Sequence, residues 1–372
     1  MLKSNFQNHI YVLLNAGGGG TRLWPRSRNA TPKQFLKLFG KKTLTQITAE
    51  RFAKIVPWEK IIIVTTSNDY KREILNELPN IPFTNVIVEP ARKNTAPAHG
   101  LGALFILKRD ADAVILTSPT DHLVAPDEKY LEAMLVAAEV AYKGDILVTV
   151  GIKPMYPHTG YGYIKRGVRF SEIFGNEVFQ VDKFTEKPDI NTAKKFIKSG
   201  DYYWNTSQFV WRADSILKAL KNHAQDVSNL LDKIAKSIGT NKQEKTIAEA
   251  YKKMPEIAID YAVAERAKNF VVVPSDYHWS DIGDWNEVWE NLDKDKSGNV
   301  IIDGDEPGGR VISLDTTNSI VHSDGRLIVI IDVDDVAVVD TKNALLVCSK
   351  SKAQNVKKIV EQLKEEKKIE YL

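Results

Sequence analysis

Four consecutive glycines followed by fixed cations are the first residues whose types and spacing could do chemistry. The stretch NAGGGGTRLWPRSRNATPKQF runs from Asn15 to Phe35 and places the glycines ahead of Arg22 and Lys33. Glycine lets a backbone approach a ligand closely, and N–H groups in such a loop can donate to phosphate oxygens. Arginine can fork onto phosphate, and lysine adds a point charge. The combination favours a triphosphate-binding loop; the structural alternative is a tight turn with solvated basic residues.

Two familiar phosphate-binding motifs do not fit this stretch. Counted from Gly17, the P-loop pattern G-x-x-x-x-G-K-[ST] requires glycine and lysine where the chain has Arg22 and Leu23. The dinucleotide pattern G-x-G-x-x-G fails at its third glycine, which is again Arg22. Residues 35–45, where that pattern expects an acidic residue, contain lysines and no acid. The stretch therefore predicts a phosphate loop of another type.

Two aspartates far apart in the chain could hold a metal ion beside the phosphates. Asp121 follows the apolar run at 113–118, and Asp281 lies in a loop after the apolar segment FVVVP. Carboxylates from separate loops suit Mg²⁺, which binds proteins through one or two such groups and can bridge phosphates. A helix cap or a turn is the structural alternative for these side chains.

The apolar pattern supplies a scaffold that could bring such loops together. Short apolar runs alternate with helical patterns, for example at 43–55 and 127–142, which predicts an α/β fold with a mostly parallel, doubly wound sheet. Ligands bind at the carboxyl ends of the strands in such sheets, and clusters of polar residues follow three of the predicted strands. The predicted strands are 9–15, 60–66, 85–89, 113–118 and 145–152.

The pattern changes after residue 290, which predicts three parts. Residues 1–290 form the α/β domain, with a helical region at 215–266. Residues 291–350 consist of short strands and turns and predict a small β domain. Residues 351–372 carry apolar side chains at helical spacing, so we expect a terminal amphipathic helix that packs on its own chain or on a second subunit. The second alternative would give a homodimer.

Composition and charge exclude several classes of protein. The 372 residues are 43% hydrophobic and 27% charged with a net charge of +3, which is ordinary for a globular chain and gives no basis for a nucleic-acid or membrane partner. Cys348 is the only cysteine, so a disulfide framework and a cysteine zinc cluster are excluded. The apolar run near the N-terminus is too short for a signal peptide. We therefore expect a cytoplasmic protein whose mature chain starts at Met1.

Seven ordered blocks of sequence resemble the sugar-nucleotide pyrophosphorylases, and in particular the mannose-1-phosphate guanylyltransferases. The resemblance covers about residues 9 to 350 and implies a Rossmann-like nucleotidyltransferase domain followed by a short left-handed β-helix. The blocks are AGGGGTRLWPRSRNATPKQF at 16–35, EPARKNTAPA at 89–98, PTDH at 119–122, TGYGYI at 159–164, FTEKPD at 184–189, YYWNTSQF at 202–209 and WSDIGDW at 279–285.

The resemblance implies that GTP and mannose 1-phosphate react to give GDP-mannose and pyrophosphate, with Mg²⁺ as the cofactor. An oxygen of the sugar phosphate would attack the α-phosphorus in line. Because this oxygen is already an anion, no general base is required. Positioning and charge neutralisation would then supply most of the catalysis, which agrees with the cations, carboxylates and glycines of the sequence.

The matching positions imply roles for individual residues. The implied catalytic residues are Arg22, Lys33, Asp121 and Asp281, of which Asp121 and Asp281 would bind the metal. Nucleotide contacts are implied for Gly17, Gly18, Gly19, Glu89, Asn94 and Thr95. Sugar-phosphate contacts are implied for Gly162, Glu186, Lys187 and Asn205. Glu89 could accept hydrogen bonds from the ring N–H and the amine of guanine, whereas Asn94 could also cap a helix that starts near residue 96.

Two departures from the family pattern leave the substrates open. Ser207 stands where the family usually has glycine, and Gln208 stands where it has an apolar residue. A nucleotidyltransferase for another hexose 1-phosphate or another nucleotide is therefore an alternative. A non-catalytic regulator that binds sugar nucleotides is a second alternative, although it should have lost some of the cations or aspartates that this chain retains. Since the sequence ends at residue 372, a fused phosphomannose isomerase domain is not expected.

Replacing Asp281 tests the metal assignment. Asp281→Ala removes one of the two carboxylates implied to hold Mg²⁺, so we expect it to abolish turnover with little effect on folding. Pyrophosphate release from GTP and mannose 1-phosphate measures the first effect, and thermal unfolding measures the second. Pyrophosphate release at the wild-type rate would contradict the assignment.

Overall fold

The computed structural model describes residues 5–18, 20–303 and 310–372, which fold into two compact units. The first unit comprises Met1–Gly17, Thr48–Thr120 and Val124–Trp279. The second comprises Gly18–Ile47, Asp121–Leu123 and Ser280–Leu372. The chain therefore passes from one unit to the other inside the glycine run, between Gly17 and Gly18.

Strands and helices alternate along the chain up to residue 280, as the sequence predicts. The strands are β1 (Ile10–Ala16), β2 (Ile61–Thr65), β3 (Val86–Val88), β4 (Val114–Pro119), β5 (Leu123–Ala125), β6 (Leu147–Ile152), β7 (Gly162–Ile173), β8 (Asn176–Thr185), β9 (Tyr202–Arg212), β10 (Phe270–Ser275) and β11 (His278–Ser280). The helices are α1 (Leu44–Ala53), α2 (Asn68–Glu77), α3 (Thr95–Leu107), α4 (Asp127–Tyr142), α5 (Ile190–Ser199), α6 (Ala213–His223), α7 (Gln225–Ala235) and α8 (Gln243–Lys253).

Nine of these strands form the central sheet of the first unit, in the order β3-β2-β1-β4-β9-β6-β10-β8-β7. β1 pairs in parallel with β2 and β4, and β6 pairs in parallel with β10. β9 runs antiparallel between β4 and β6. β2 and β6 are buried along their whole length, which accounts for their continuous apolar sequence. The predicted α/β fold with a mostly parallel sheet is confirmed.

The helical region predicted at 215–266 is divided more finely than the sequence suggested. α6, α7 and α8 lie in or next to it, and Pro255 follows soon after the end of α8. The chain then forms a short π-helix at Asp260–Ala264. Because π-helical turns are rare and occur often at functional sites, this turn makes Asp260 a candidate functional residue.

The second unit contains the strands and helices that follow residue 280. The strands are β12 (Val300–Asp303), β13 (Arg310–Leu314), β14 (Ile320–Ser323), β15 (Leu327–Ile331), β16 (Val336–Thr341) and β17 (Ala344–Ser349). The helices are α9 (Trp285–Glu290) and α10 (Val356–Glu365).

Parallel pairing gives these strands the form of a β-helix-like coil. β14 lies between β12 and β16, and β13 pairs in parallel with β15. Ile320 pairs with Ala337 and Arg310 pairs with Leu327, at a spacing of 17 residues, whereas Val300 pairs with Ile320 at a spacing of 20. Only the inward residues of such a coil must be apolar, which explains why no strict repeat is visible in the sequence. The predicted small β domain is confirmed.

The terminal helix packs on its own chain. Val356 and Val360 of α10 are buried in one apolar core with Leu23 and Trp24 from the segment after the glycines. This core also contains Trp285 of α9. The first of the two alternatives for this helix is therefore confirmed. Among the described residues, no helix is long and apolar enough to cross a membrane.

The domain boundaries at residues 290 and 350 remain a prediction. Packing groups Gly18–Ile47 with Ser280–Leu372, and this grouping follows contacts rather than chain order. A boundary placed at one point in the sequence cannot describe a unit that is built from separate segments of the chain.

Candidate functional site

Lys33 is the centre of a polar cluster in the second unit. We call Lys33, Asp121 and Asp281, together with Gly18 and Gly20, the phosphate-loop cluster, and all five belong to that unit. Lys33 is only 5% exposed. Its Nζ lies 3.0 Å from Asp121 Oδ2 and also donates to the backbone carbonyl of Asp281. The structure therefore brings together three of the four residues to which the sequence assigned catalytic roles.

Glycine is required at position 20 to admit Lys33. Gly20 has φ of +56°, and a Cβ atom there would lie 2.2 Å from Lys33 Cβ and 3.1 Å from Ser27 Oγ. Any larger residue would displace the lysine or strain the backbone. Gly18 lies close to the cluster as well, since a Cβ atom on it would be 3.5 Å from Asp121 Oδ2. Gly19 lies outside the described residues, so its predicted nucleotide contact stays a prediction.

Asp121 is held in its charged form. Burial raises the pKa of this carboxyl, but the neighbouring Lys33 and His122 outweigh burial and leave the pKa below its usual value. An ionised carboxylate with Lys33 as counter-ion is the state required for metal binding.

The loop that carries Asp281 is fixed by a glutamate that sequence reasoning missed. Glu287 of α9 accepts hydrogen bonds from Ser280 Oγ at 2.9 Å and from the backbone N–H of Gly283 at 3.0 Å. Burial and the nearby Asp281 carboxylate raise the pKa of Glu287. Ile282, next to Asp281, has φ of +45°, a costly conformation for a β-branched residue. The spacing DWNE at 284–287 was an available signal, because aspartate followed three residues later by glutamate marks a helix start.

Arg22 is oriented only by its backbone. It lies in a short 3₁₀ turn at Thr21–Leu23 and is half-buried. Its guanidinium forms no hydrogen bond or ion pair with any residue that the structure describes. Its donors are therefore open to a ligand.

Three or more histidine, cysteine, aspartate or glutamate side chains do not converge on a common point anywhere in the described chain. A metal role for the pair Asp121 and Asp281 stays a prediction. A pair of carboxylates suits Mg²⁺, which keeps several water ligands.

In the first unit, Glu89 is a buried acid beside a glycine. Glu89 is 5% exposed, and burial raises its pKa to about 8, although Tyr251 and Arg92 act in the opposite direction. A Cβ atom on Gly17 would lie 3.6 Å from Glu89 Oε1 and 3.0 Å from a methyl of Thr66. Glycine at position 17 therefore leaves room next to the carboxyl group.

Asn94 and Thr95 both have structural partners. Asn94 is the N-cap of α3, since its Oδ1 accepts from the backbone N–H of Thr95 at 2.9 Å. The Thr95 hydroxyl accepts from the N–H of Ile259 at 2.8 Å. The helix-cap interpretation of Asn94 is therefore confirmed, and a nucleotide contact by either residue stays a prediction.

A second polar cluster in the first unit contains the residues assigned to the sugar phosphate. A Cβ atom on Gly162 would lie 2.4 Å from Glu186 Oε2 and 3.1 Å from Asn205 Cβ, so a larger residue there would displace the Glu186 carboxylate. Lys187 Nζ donates to Glu186 Oε1 at 2.7 Å. Gly162, Glu186, Lys187 and Asn205 thus form one cluster, as expected from the sequence.

Asp260 joins this cluster, and sequence reasoning missed it. Asn205 Nδ2 donates to Asp260 Oδ1 at 2.9 Å, and Asn205 Oδ1 accepts from the N–H of Ser207 at 3.1 Å. Burial, and then the nearby Glu186 carboxylate, raise the pKa of Asp260 to about 6. The residue lies 55 positions from Asn205 in an unremarkable segment, IAIDYAVAE, so no local motif could have revealed the contact.

The two departures in the block YYWNTSQF have different consequences. Ser207 keeps a left-handed backbone with φ of +57°, the conformation for which glycine is suited. Gln208 is 1% exposed, and its Oε1 accepts from Thr206 Oγ1 at 2.9 Å and from the Tyr277 hydroxyl. Gln208 is therefore part of an internal network and not of the Asn205 cluster, which removes it as a basis for a different sugar.

Family models match most of the chain. A model described as nucleotidyl transferase matches residues 11–298. A second model, described as MannoseP isomerase/GMP-like beta-helix domain, matches residues 309–363.

Individual relatives resemble the chain over nearly its full length. A mannose-1-phosphate guanylyltransferase 2 of Escherichia coli O157:H7 is 36% identical over 98% of this chain and 75% of its own. A crystal structure from Thermus thermophilus, described as a mannose-1-phosphate geranyltransferase, is 31% identical with a TM-score of 0.84 and covers 96% of this chain and 99% of its own. One described as a mannose-6-phosphate isomerase from Helicobacter pylori is 29% identical with a TM-score of 0.59, over 73% of this chain and 99% of its own.

The raised pKa of Asp260 predicts a pH-dependent stability. An acid whose pKa is higher in the folded state stabilises the fold at pH below 4, and this contribution is lost as the pH rises through about 6. Urea unfolding of wild type and Asp260→Asn should therefore show the wild type losing stability relative to the variant between pH 4 and 6. We expect a loss of less than about 1.4 kcal/mol per pH unit, because the half-buried carboxyl is partly solvated.

Asp182→Asn is the matched control for this measurement. Lys165 lowers the pKa of the exposed Asp182 carboxyl through a hydrogen bond, so its contribution should change with pH in the opposite direction. If wild type and Asp260→Asn have the same pH dependence, Asp260 is not the group that titrates.

Proposed function

Because the chain belongs to the nucleotidyl transferase family, and within it to the mannose-1-phosphate guanylyltransferases, we propose that it transfers GMP from GTP to mannose 1-phosphate, giving GDP-mannose and pyrophosphate. The observation that carries the proposal for this chain is buried Lys33, which binds the carboxylate of Asp121 and the carbonyl of Asp281. Nucleotidyl transfer needs carboxylates and a cation close together. Here two loops carry the carboxylates, and the glycine-rich loop carries the cation.

The reaction requires charge neutralisation more than proton transfer. An oxygen of the sugar phosphate attacks the α-phosphorus of GTP, and the bond from this phosphorus to the oxygen bridging to the β-phosphate breaks in line. Pyrophosphate then leaves with the electron pair of that bond. Arg22, whose donors are open, and Lys33 would neutralise the growing charge on the leaving group.

Asp121 and Asp281 are the residues proposed to hold Mg²⁺. Both belong to the second unit and both contact Lys33, one through its carboxylate and the other through its carbonyl. When bound, Mg²⁺ would neutralise phosphate charge and hold the phosphate oxygens in position. Without the metal, Lys33 balances the charge of Asp121. Once Mg²⁺ is bound, the metal would balance this charge, and Lys33 would be available to the leaving group.

Glu89 is proposed to select guanine. Guanine presents a ring N–H and an exocyclic amine side by side, and an ionised carboxylate can accept from both. Adenine has no ring N–H at the corresponding position. Gly17, beside Glu89, would allow the nucleotide to approach the backbone, and Gly18 and Gly19 would do the same on the phosphate side.

The Asn205 cluster is proposed to bind the sugar phosphate. Glu186 and Asn205 can bind sugar hydroxyls, Lys187 can bind the phosphate, and Gly162 leaves room for the ring. A homodimer and a cytoplasmic location remain predictions from the sequence.

A matrix of substrates tests the proposed function. Four nucleoside triphosphates are combined with mannose, glucose and galactose 1-phosphates, with and without Mg²⁺, and pyrophosphate release is measured. We expect the highest kcat/KM for GTP with mannose 1-phosphate and a strict requirement for the metal. A different preferred pair would identify a sister nucleotidyltransferase. Binding without turnover for every pair would favour the regulator.

Proton release on GTP binding tests the role of Glu89. Free Glu89 is protonated at pH 7, since its pKa is about 8, whereas guanine donors favour the carboxylate. Calorimetric titration at pH 7 in buffers of different ionisation enthalpy should therefore show up to about one proton more released on GTP binding by wild type than by Glu89→Gln. ATP serves as the control ligand. Equal proton release by the two proteins would contradict contact between Glu89 and guanine.

A further inference from the structure

We propose that the C-terminal segment, residues 356–372, positions the part of the glycine-rich loop that carries Arg22 and Lys33, and so acts on the triphosphate end of the reaction. The inference rests on the proposed function, because it assigns these two cations to the triphosphate. It names Trp24 and Arg28 as positioning residues: both link the loop to the end of the chain.

Trp24 links the loop to the last residues and to α9. Its Nε1 donates to the carbonyl of Tyr371 at 2.7 Å, across 347 positions of sequence. Its own carbonyl accepts from Trp285 Nε1 at 3.0 Å. Trp24 is two residues after Arg22 and 8% exposed, so its indole N–H has little access to water. The bond to Tyr371 therefore constrains the backbone next to Arg22.

Arg28 makes the second link, and its guanidinium donates four hydrogen bonds. Nε donates to the carbonyl of Pro25 at 2.8 Å, and Nη1 donates to the carbonyl of Glu370 at 3.3 Å. Nη2 donates to Asn343 Oδ1 at 2.6 Å and to Thr341 Oγ1 at 3.1 Å. One side chain thus joins the loop to the β16–β17 turn and to the C-terminal segment.

Apolar packing supports these polar links. Val356 and Val360 of α10 share a core with Leu23 and Trp24, and Leu372 packs against the same core. α10 thereby packs against the short turn at Thr21–Leu23 that contains Arg22. The packing stabilises this turn from the side that the C-terminal segment covers.

The links act where the loop has the least other support. Arg22 has no partner among the described residues, so its position depends on its neighbours in the chain. Lys33 is the next fixed point, because Gly20 packs against its Cβ. The anchors at Trp24 and Arg28 lie between these two cations. Since displacements of about 1 Å in a positioning group can lower the rate by orders of magnitude, loosening the anchors should weaken the grip on the triphosphate.

Trp24→Phe is the primary test, because it keeps an aromatic ring in the core while it removes the indole N–H together with part of the indole ring. We expect KM for GTP, and KM for pyrophosphate in the reverse reaction, to rise about threefold to tenfold, with KM for mannose 1-phosphate within twofold of wild type. Arg28→Gln removes the second link and leaves the apolar core unchanged. It should raise the KM values for GTP and pyrophosphate and leave the KM for mannose 1-phosphate within twofold of wild type.

Trp289→Phe is the matched control. Trp289 Nε1 donates to the carbonyl of Gly298 at 2.9 Å in the same unit, so the variant loses the same kind of bond. We expect its KM for GTP to equal that of wild type.

The outcomes separate this inference from the proposed function. If wild type releases no pyrophosphate with any substrate pair, the proposed function fails. If wild type turns over and Trp24→Phe and Arg28→Gln keep the wild-type KM for GTP, the inference is overturned. It is also overturned if both substrates' KM values rise equally, because that result indicates a general structural role.

Discussion

One buried ammonium group is the interaction on which the functional residues of the second unit depend. Lys33 is nearly inaccessible to water, and a buried cation is costly unless acceptors surround it. Its acceptors come from 88 and 248 positions further along the chain. Gly20 must remain small for the lysine to reach them. The position of this side chain therefore links the glycine run to Asp121 and to the loop around Asp281.

Much of the scaffold could be predicted because local patterns of apolar residues in the sequence indicate its strands and helices. β2 and β6 are continuous apolar runs, and α4 has the bounds that its helical spacing indicated. Lys33, Asp121 and Asp281 stand out because they are polar residues after such runs or in ordered motifs. These signals depend on neighbours in the sequence, which a single sequence supplies.

Other features depend on contacts through space, and the sequence could not reveal them. Gln208 looked like a change in a sugar pocket, but its side chain is bound by Thr206 and Tyr277. Asp260 carries no sequence motif and is recognised only in the structure, by its π-helical turn and its hydrogen bond from Asn205. Similarly, the link between Trp24 and Tyr371 connects residues that no pattern relates. In each case the direction of a side chain decides its role.

The interleaving of the two units has a consequence for how the protein is made. Ile47 ends a segment whose packing partners begin at Ser280 and extend to Leu372. During synthesis at about 5–20 residues per second, the last of these partners follows about 325 residues later, after roughly 16 to 65 s. The first unit can fold while the ribosome is still extending the chain, whereas the glycine-rich loop must wait. The loop that carries Arg22 and Lys33 therefore reaches its native contacts later than the first unit does, and a newly made chain gains its phosphate-binding groups only after the segment Ser280–Leu372 has been made.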